Sequence, residues 1–434
     1  MNSDKIKVPA NSIGLIIGKG GVNLEDIRRR SGARCKINGN DIVVTGSNDA
    51  RRIAKNLIDD CVHNSAVVYN HPIEAIIALR PPLVGLKSVS FVKYAGNVDM
   101  NNVNKALFVL DEGEEFDKDD ELDEVSSHME NLNLDVSIIV APKEDKPLVE
   151  LITERLIKHI TDPSNKHRDF KITVNIGKQL FYPAKKDSLL LPPSVSLAHL
   201  LKYKIGYKRD VKVIFMNHIS FDIAKIIERR LVKLGYKKND DEIVQRASIH
   251  LIDASAKKRF TISTDITSEG ALRIRKYSTE NTKHLFLSFT RSKSDLDFRF
   301  RFLSKDPHIK KIPSNLINII NEATCDLDAR TIHLKNTVDF TFTTIRIKTK
   351  RKFLNSKGEF SNGRLKVTIS EVQEKGKKDV QVSVTSDAFH EILEKIKDKS
   401  DEALELECKE EAEKFVNEMY RLVDGLQYDF TGEN

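Results

Sequence analysis

The sequence predicts an α+β protein: a small β-α-α-β-β-α unit at the start, then a larger α+β region with an extensive antiparallel sheet. Two patterns carry that reading. In the first sixty residues, short alternating strands and helical stripes follow one another through single turns. Between about 246 and 385, strand after strand alternates apolar with cationic residues. Length is the third observation. At roughly 150 residues per domain, 434 residues make two or three domains, with core enough to fold without disulfides or metal.

The elements of the first unit can be justified in order. Ile6 and Val8 alternate with lysines up to Pro9 and read as a strand. Ile13, Ile16 and Ile17 sit at helical spacing behind Asn11 and Ser12, both good capping residues. Gly18-Lys19-Gly20-Gly21 stops that helix. A second follows, with Leu24 and Ile27 inward, and Gly32 ends it. Cys35 and Ile37 alternate with Arg34 and Lys36, Asn38 to Asp41 is a hairpin signal, and Ile42 to Val44 return. Asp49 is the expected cap of a third helix striped by Ile53, Leu57, Ile58 and Cys61.

Four divisions are expected: 1–63, 64–135, 136–245 and 246–434. The second holds strand candidates at 66–69, 87–93 and 106–110. It then runs into an acidic segment, Asp111 to Asp135, with twelve acids and one lysine, which reads as a solvated linker. The third combines strands at 136–141, 170–176 and 211–216 with helices at 146–160 and 221–235. The last carries nine strand candidates, from 247–252 to 378–385 and including 330–335, with helices at 314–323, 387–397 and 410–425. The stretch 402–409 fits either strand or helix.

Composition narrows the function classes. Lys and Arg number 71 against 64 Asp and Glu, a net charge of +7, so the distribution of charge matters more than its sum. Four cysteines without ligand spacing argue against a zinc site or disulfide framework, and fit a reducing compartment. No apolar run nears the ~18 residues of a membrane span, and the first residues lack a signal-peptide pattern. No phosphate-loop, nucleophile-elbow, zinc-protease or dinucleotide motif occurs, so neither a cofactor nor a metal is expected.

The Gly-Lys-Gly-Gly turn has a physical purpose. Glycines between two helices let a nucleic-acid backbone approach main-chain N–H groups, and the second helix adds partial positive charge for phosphate. With Val8-Pro9, Ser31-Gly32-Ala33 and Val44-Thr45-Gly46 at their spacing, residues 1–63 resemble a type I KH domain. That resemblance implies single-stranded RNA, about four nucleotides held in a groove. The residues it implicates are Gly18, Lys19, Gly20 and Gly21, an apolar floor from Ile13, Ile16, Ile17, Leu24, Ile27 and Ile37, and rim contacts from Arg28, Arg34 and Lys36.

In the β-rich part Arg273 and Arg275, Arg299 and Arg301, Arg346, Lys348, Lys350 and Lys352, and Arg364 and Lys366 each alternate with apolar residues. Each set places cations on one strand face. If the strands are neighbours, a polyanion would relieve their mutual repulsion; the alternative is a set of ordinary solvated faces. The pattern also faintly resembles the tunnel-shaped triphosphatases, the CYTH-like fold. That resemblance implies arginines and lysines for phosphates and paired glutamates for metal, with Glu405 and Glu407 as the strand-borne pair. The expectation is an RNA-binding protein of ribonucleoprotein particles, acting on mRNA, without catalytic residues, in the cytoplasm or nucleus. The C-terminal region is then a second basic surface or a docking platform for protein partners, with no membrane contact. A tunnel-type triphosphatase, active or not, and a protein-interaction scaffold are the alternatives.

Overall fold

The computed structural model describes residues 3–9, 12–70, 74–79, 88–94, 107–112, 136–140, 146–165, 167–183, 194–196, 211–239, 244–254, 256, 258–280, 282–291, 296–309, 311–337, 339–355, 365–374, 377–398 and 401–426. The first unit comprises β1 (Ser3–Lys7), α1 (Ile13–Ile17), α2 (Val22–Ser31), β2 (Arg34–Asn38), β3 (Asp41–Thr45) and α3 (Asn48–Asn70). Its sheet has the order β1-β3-β2, antiparallel throughout. Ile16, Ile42, Val44, Ala54 and Ile58, all fully buried, anchor its own core.

Local chemistry differs from expectation at two caps. The Ser12 side chain is buried and makes no cap bond to α1. On α3 the cap is Ser47, whose Oγ accepts from Ala50 N–H at 3.2 Å, rather than Asp49. The strand expected at 66–69 does not form either. α3 runs on to Asn70, because elongating an existing helix adds a hydrogen bond per residue and outweighs a short β-branched run.

The rest of the chain builds one large sheet. Its strands are β4 (Glu74–Leu79), β5 (Ser88–Lys93), β6 (Phe108–Glu112), β7 (Val136–Val140), β8 (Asp169–Pro183), β9 (Ser194–Ser196), β10 (Val211–Met216), β11 (Tyr236–Lys238), β12 (Val244–Asp253), β13 (Lys258–Ile266), β14 (Leu272–Thr279), β15 (Thr282–Thr290) and β16 (Asp297–Lys305). β19 (Phe340–Asn355), β20 (Leu365–Glu374) and β21 (Lys377–Ser386) complete it, while β17 (Cys325–Asp326) and β18 (Thr331–Ile332) form a separate pair. The main path runs β14-β13-β12-β19-β20-β21-β8-β16-β15-β4-β7, antiparallel up to β15 and parallel at β15-β4-β7.

Boundaries expected at 135/136 and 245/246 therefore do not divide the structure. β8 pairs with both β16 and β21, and β4 with β15, so residues 74–386 share one sheet. The strand expected at 330–335 shrinks to two residues. The acidic stretch from 113 to 135 lies outside the described residues.

The sheet curls until its first strand meets the chain that leaves β16. Ile309 N–H donates to Tyr277 O at 2.8 Å, and Asp306 accepts from Thr279 Oγ1 at 2.5 Å and from Arg168 Nη1 at 2.6 Å. Helices cover the convex side. α4 (Lys146–Thr161), α5 (Phe221–Lys233), α7 (Asp387–Asp398) and α8 (Glu402–Leu426) pack on β8, β16, β20 and β21 through Phe298, Val382, Leu393 and Phe415. α6 (Ser314–Glu322) packs on β12 to β14 through Leu316 and Ile320. At about 25 cal/mol per Å2 of apolar area removed from water, such faces dominate the stability of the fold. The described helices include none long and apolar enough to cross a membrane.

The first unit docks on this sheet. Arg30 Nη1 donates to Thr343 O at 2.9 Å, Asn336 Nδ2 to Arg30 O at 3.2 Å, and Asn56 Nδ2 to Thr341 Oγ1 at 3.1 Å. Arg259 pairs with Asp60 and donates to Asp59 O at 3.1 Å.

Candidate nucleic-acid interface

The turn between α1 and α2 needs glycine. Gly18, Gly20 and Gly21 have φ of 72°, 64° and 84°, a region that L side chains rarely enter. A Cβ on Gly18 would stand 2.8 Å from Asn23 Cγ, so the chain passes too close for a side chain. At Gly20 and Gly21 no atom lies within 4 Å of that position, which leaves the main chain open on that side. Gly21 is also the N-cap of the ten-residue α2, whose free N–H groups and dipole favour an anion. Lys19 belongs to the same turn.

Not every expected floor residue faces outward. Ile16, Leu24 and Ile27 are buried in the unit's core, because they are the inward positions of two helices packed on a three-stranded sheet. Ile13, Ile17 and Ile37 are half-buried, Ile13 and Ile37 at the edge of that core. Arg34 and Lys36 are exposed on β2, since Cys35 between them points inward. Arg28 is already engaged. Its guanidinium donates to Cys35 O at 2.7 and 3.3 Å and to Glu25 at 3.0 Å, so it fixes the α2–β2 corner rather than standing free at the rim. Val22, exposed at 67%, is an apolar side chain directly after the loop that sequence reasoning missed; only its place in the first turn, outside the helical stripe, hinted at it.

The second candidate is the concave face of the curled sheet. On β16, Phe298, Phe300 and Phe302 join the core, which turns Arg299 and Arg301 to the other side. On β19, Ile345 and Ile347 join theirs, which turns Arg346, Lys348, Lys350 and Lys352 the same way. Curling brings these sets within electrostatic range. Lys348 is pushed down to about 8 by burial and then by Arg346, Arg301 and Lys171. Lys350 is pushed down to about 8 by burial and then by Arg246, Lys171, Lys348 and Lys352.

Burial, then Lys305, Arg301, Lys276 and Arg246, also lowers Lys171. Lys171 has solvent access, yet it is ringed by protein and four like charges. Burial and Arg301 lower Arg299, although a guanidinium keeps its proton at neutral pH. The Arg299 head lies 4.3 Å from the Phe286 ring centroid and 4.5 Å from that of Phe215. The Nε atoms of Arg299 and Arg301 are buried without a hydrogen-bond partner.

Several other expected cations are exposed or paired with carboxylates. Arg273 and Arg275 are exposed on β14, and Arg275 pairs with Asp265 at 3.3 Å. Arg346 pairs with Glu374, and Lys366 with Asp387 at 2.5 Å. Arg364 lies outside the described residues. Sequence reasoning missed Lys171, Arg246, Lys276 and Lys305, because none of them has a second cation two residues away on its strand. Glu405 and Glu407 are on helix α8, not on a strand, so they do not share a face; the stripe Cys408, Ala412, Phe415 and Met419 decides for helix. Among the described residues, no cluster of three His, Cys, Asp or Glu could hold a metal ion.

Comparison with known proteins bears on the first unit. Residues 3–60 match the family model of the KH domain, and this unit is a KH domain, a nucleic-acid-binding module. A Tudor and KH domain-containing protein homolog of Bombyx mori is 38% identical over 69 residues. The matched stretch is 14% of this chain and only 11% of that protein's length. Among solved structures, the S. pombe Pct1 RNA triphosphatase in complex with the Spt5 CTD is similar over 67% of this chain and 95% of that one. It is 10% identical with a TM-score of 0.39, too low to transfer fold or activity.

Proposed function

We propose that this protein binds single-stranded RNA through the Gly18–Gly21 loop of its KH domain, and that the cationic concave face is a second polyanion-binding surface. The observation that carries the reading is the loop itself. Its main chain is held in a conformation that favours glycine, open on one side, at the start of a helix. Phosphates of the bound strand sit against Gly20, Gly21 and Lys19, bases rest along Ile13, Ile17 and Ile37, and Arg34 and Lys36 line the far edge. The role is one of binding rather than catalysis, with mRNA in the cytoplasm as its setting.

Titration of a short single-stranded RNA tests this. The pair Lys19→Asp, Gly20→Asp puts two negative charges where phosphate would lie. It should cost about 2–3 kcal/mol, roughly a hundredfold in Kd. Unchanged affinity in a variant with an unchanged melting curve would remove the loop from the mechanism.

A further inference from the structure

The concave face has more charge than its own carboxylates balance. Asp265 takes Arg246 and Arg275, and Glu374 takes Arg346. The ion pairs among the described residues include none to Lys171, Lys276, Arg301, Lys348 or Lys350. These five come from the neighbours β8 and β16 and from β14 and β19, which lie far from them along the sheet, so that only its curvature assembles the set. Keeping like charges together with few counterions costs stability, and a ligand carrying several phosphates along a chain repays that cost.

The KH domain is fixed at one end of this same face. Ile252, Arg259 and Thr341 belong to the face by strand register: Ile252 follows Arg246, Ser248 and His250 at alternate positions of β12, and pairs with Arg259 and Thr341. Ile252 and Thr341 are buried and Arg259 is half-buried, and Asn56 and Asp60 of α3 are what Thr341 and Arg259 bond. Arg30, at the last turn of α2, bonds Thr343, three residues before Arg346. The loop at the other end of α2 is ~15 Å away along the helix, and Thr343 to Arg346 is ~10 Å along the strand. Allowing for the Arg30 side chain, the loop and the first cations of the face are at most about 35 Å apart. At ~3.4 Å per stacked nucleotide, that is about ten nucleotides.

We propose that one single-stranded polynucleotide occupies both sites: about four nucleotides lie in the KH groove, and the continuing strand lays its phosphates against Lys171, Lys276, Arg301, Lys348 and Lys350. This rests on the KH reading above and extends it. Since the two sites sit on one docked body, the second engagement is intramolecular, and affinity rises with strand length once the strand can reach.

The test compares a 5-mer and a 20-mer of single-stranded RNA of one composition, titrated against the full-length protein at two salt concentrations. The wild type should bind both, the 20-mer at least tenfold more tightly. Lys348→Gln with Lys350→Gln should remove most of the 20-mer advantage, so that the ratio of the 5-mer Kd to the 20-mer Kd falls several-fold. Removing two phosphate contacts should also lower the slope of log K against log salt by about 1.4. Because these lysines repel their neighbours, the variant should melt no earlier than wild type, which separates lost contacts from lost structure. Both proteins offer the 20-mer the same number of registers, so the statistical gain cancels.

An equal length advantage in wild type and variant would overturn the proposal. So would a 20-mer Kd unaffected by Lys19→Asp, Gly20→Asp, since the strand would then not span both sites. Failure of the wild type to bind the 5-mer would strike the KH reading itself, a different result from a 5-mer that binds without any gain from length.

Discussion

The KH domain and the curled sheet both carry arginines and lysines, but they hold them in opposite ways. On α2, Arg29 and Arg30 each have Asp26 three or four residues away, at 2.6 and 3.4 Å, and Arg29 is 77% exposed. The Arg29 charge is balanced locally and shared with water. On the sheet, Lys348 and Lys350 face other cations in a partly enclosed space, where water screens less and each proton is held less firmly. Cations on an exposed helix therefore say little about a ligand, whereas crowded cations without counterions do.

The largest test of that contrast concerns an enclosed cation that does have a partner. Asp297, wholly buried, accepts from Lys178 Nζ at 3.3 Å and from the N–H groups of Gln179 and Arg291 at 2.8 Å each. Asp297→Ala removes the carboxylate that a buried ammonium and two amides bond, and should cost about 3–5 kcal/mol in chemical denaturation. A loss under 1 kcal/mol would mean that the carboxylate does not hold Lys178 in place. Next comes Gly18→Ala, where a positive φ and the Asn23 contact both resist a methyl group. It should destabilise by about 1–3 kcal/mol and weaken RNA binding with it.

Lys348→Gln reverses the sign. Relieving repulsion should raise stability, by about 1 kcal/mol or less, read as a higher Tm. The same crowding makes stability depend on pH. A lysine at about 8 in the folded protein and 10.5 unfolded leaves the unfolded chain with more bound protons across that interval. Stability should therefore climb as pH rises from about 8 toward 10.5, while polyanion binding by the face declines as the lysines discharge. A melting temperature that fell steadily across that range would contradict the crowding. Smallest of all, Arg29→Gln should shift stability by no more than about 0.5 kcal/mol, because its pair is exposed.

Much of this was legible in the residues. The KH unit follows from spacing and turn chemistry within sixty residues, where every signal is local. Alternation on β16 and β19 likewise located two of the cation rows, because the apolar partners of Arg299, Arg301, Lys348 and Lys350 fix which face they take. What the sequence hid was long-range. That β8 and β14 bring Lys171 and Lys276 to the same place depends on sheet curvature, which no local pattern encodes. Nor could periodicity alone tell that Ile16, Leu24 and Ile27 are interior, since groove and core share one side of the helices. At Glu405 to Glu407 a two-residue alternation coexisted with a helical stripe, and packing on the core chose the stripe.

Arg30 and Thr343, which join the KH domain to the sheet, stand 313 residues apart in the chain. The KH core closes on itself within the first sixty-odd residues, whereas the ring cannot form before its last strand at 377–386 has been made. A ribosome adding about 5–20 residues per second presents the small module first and its mooring many seconds later. During that interval the glycine turn is complete before the sheet that moors it exists, and a nucleic acid captured then would already be in hand when the sheet assembles beside it.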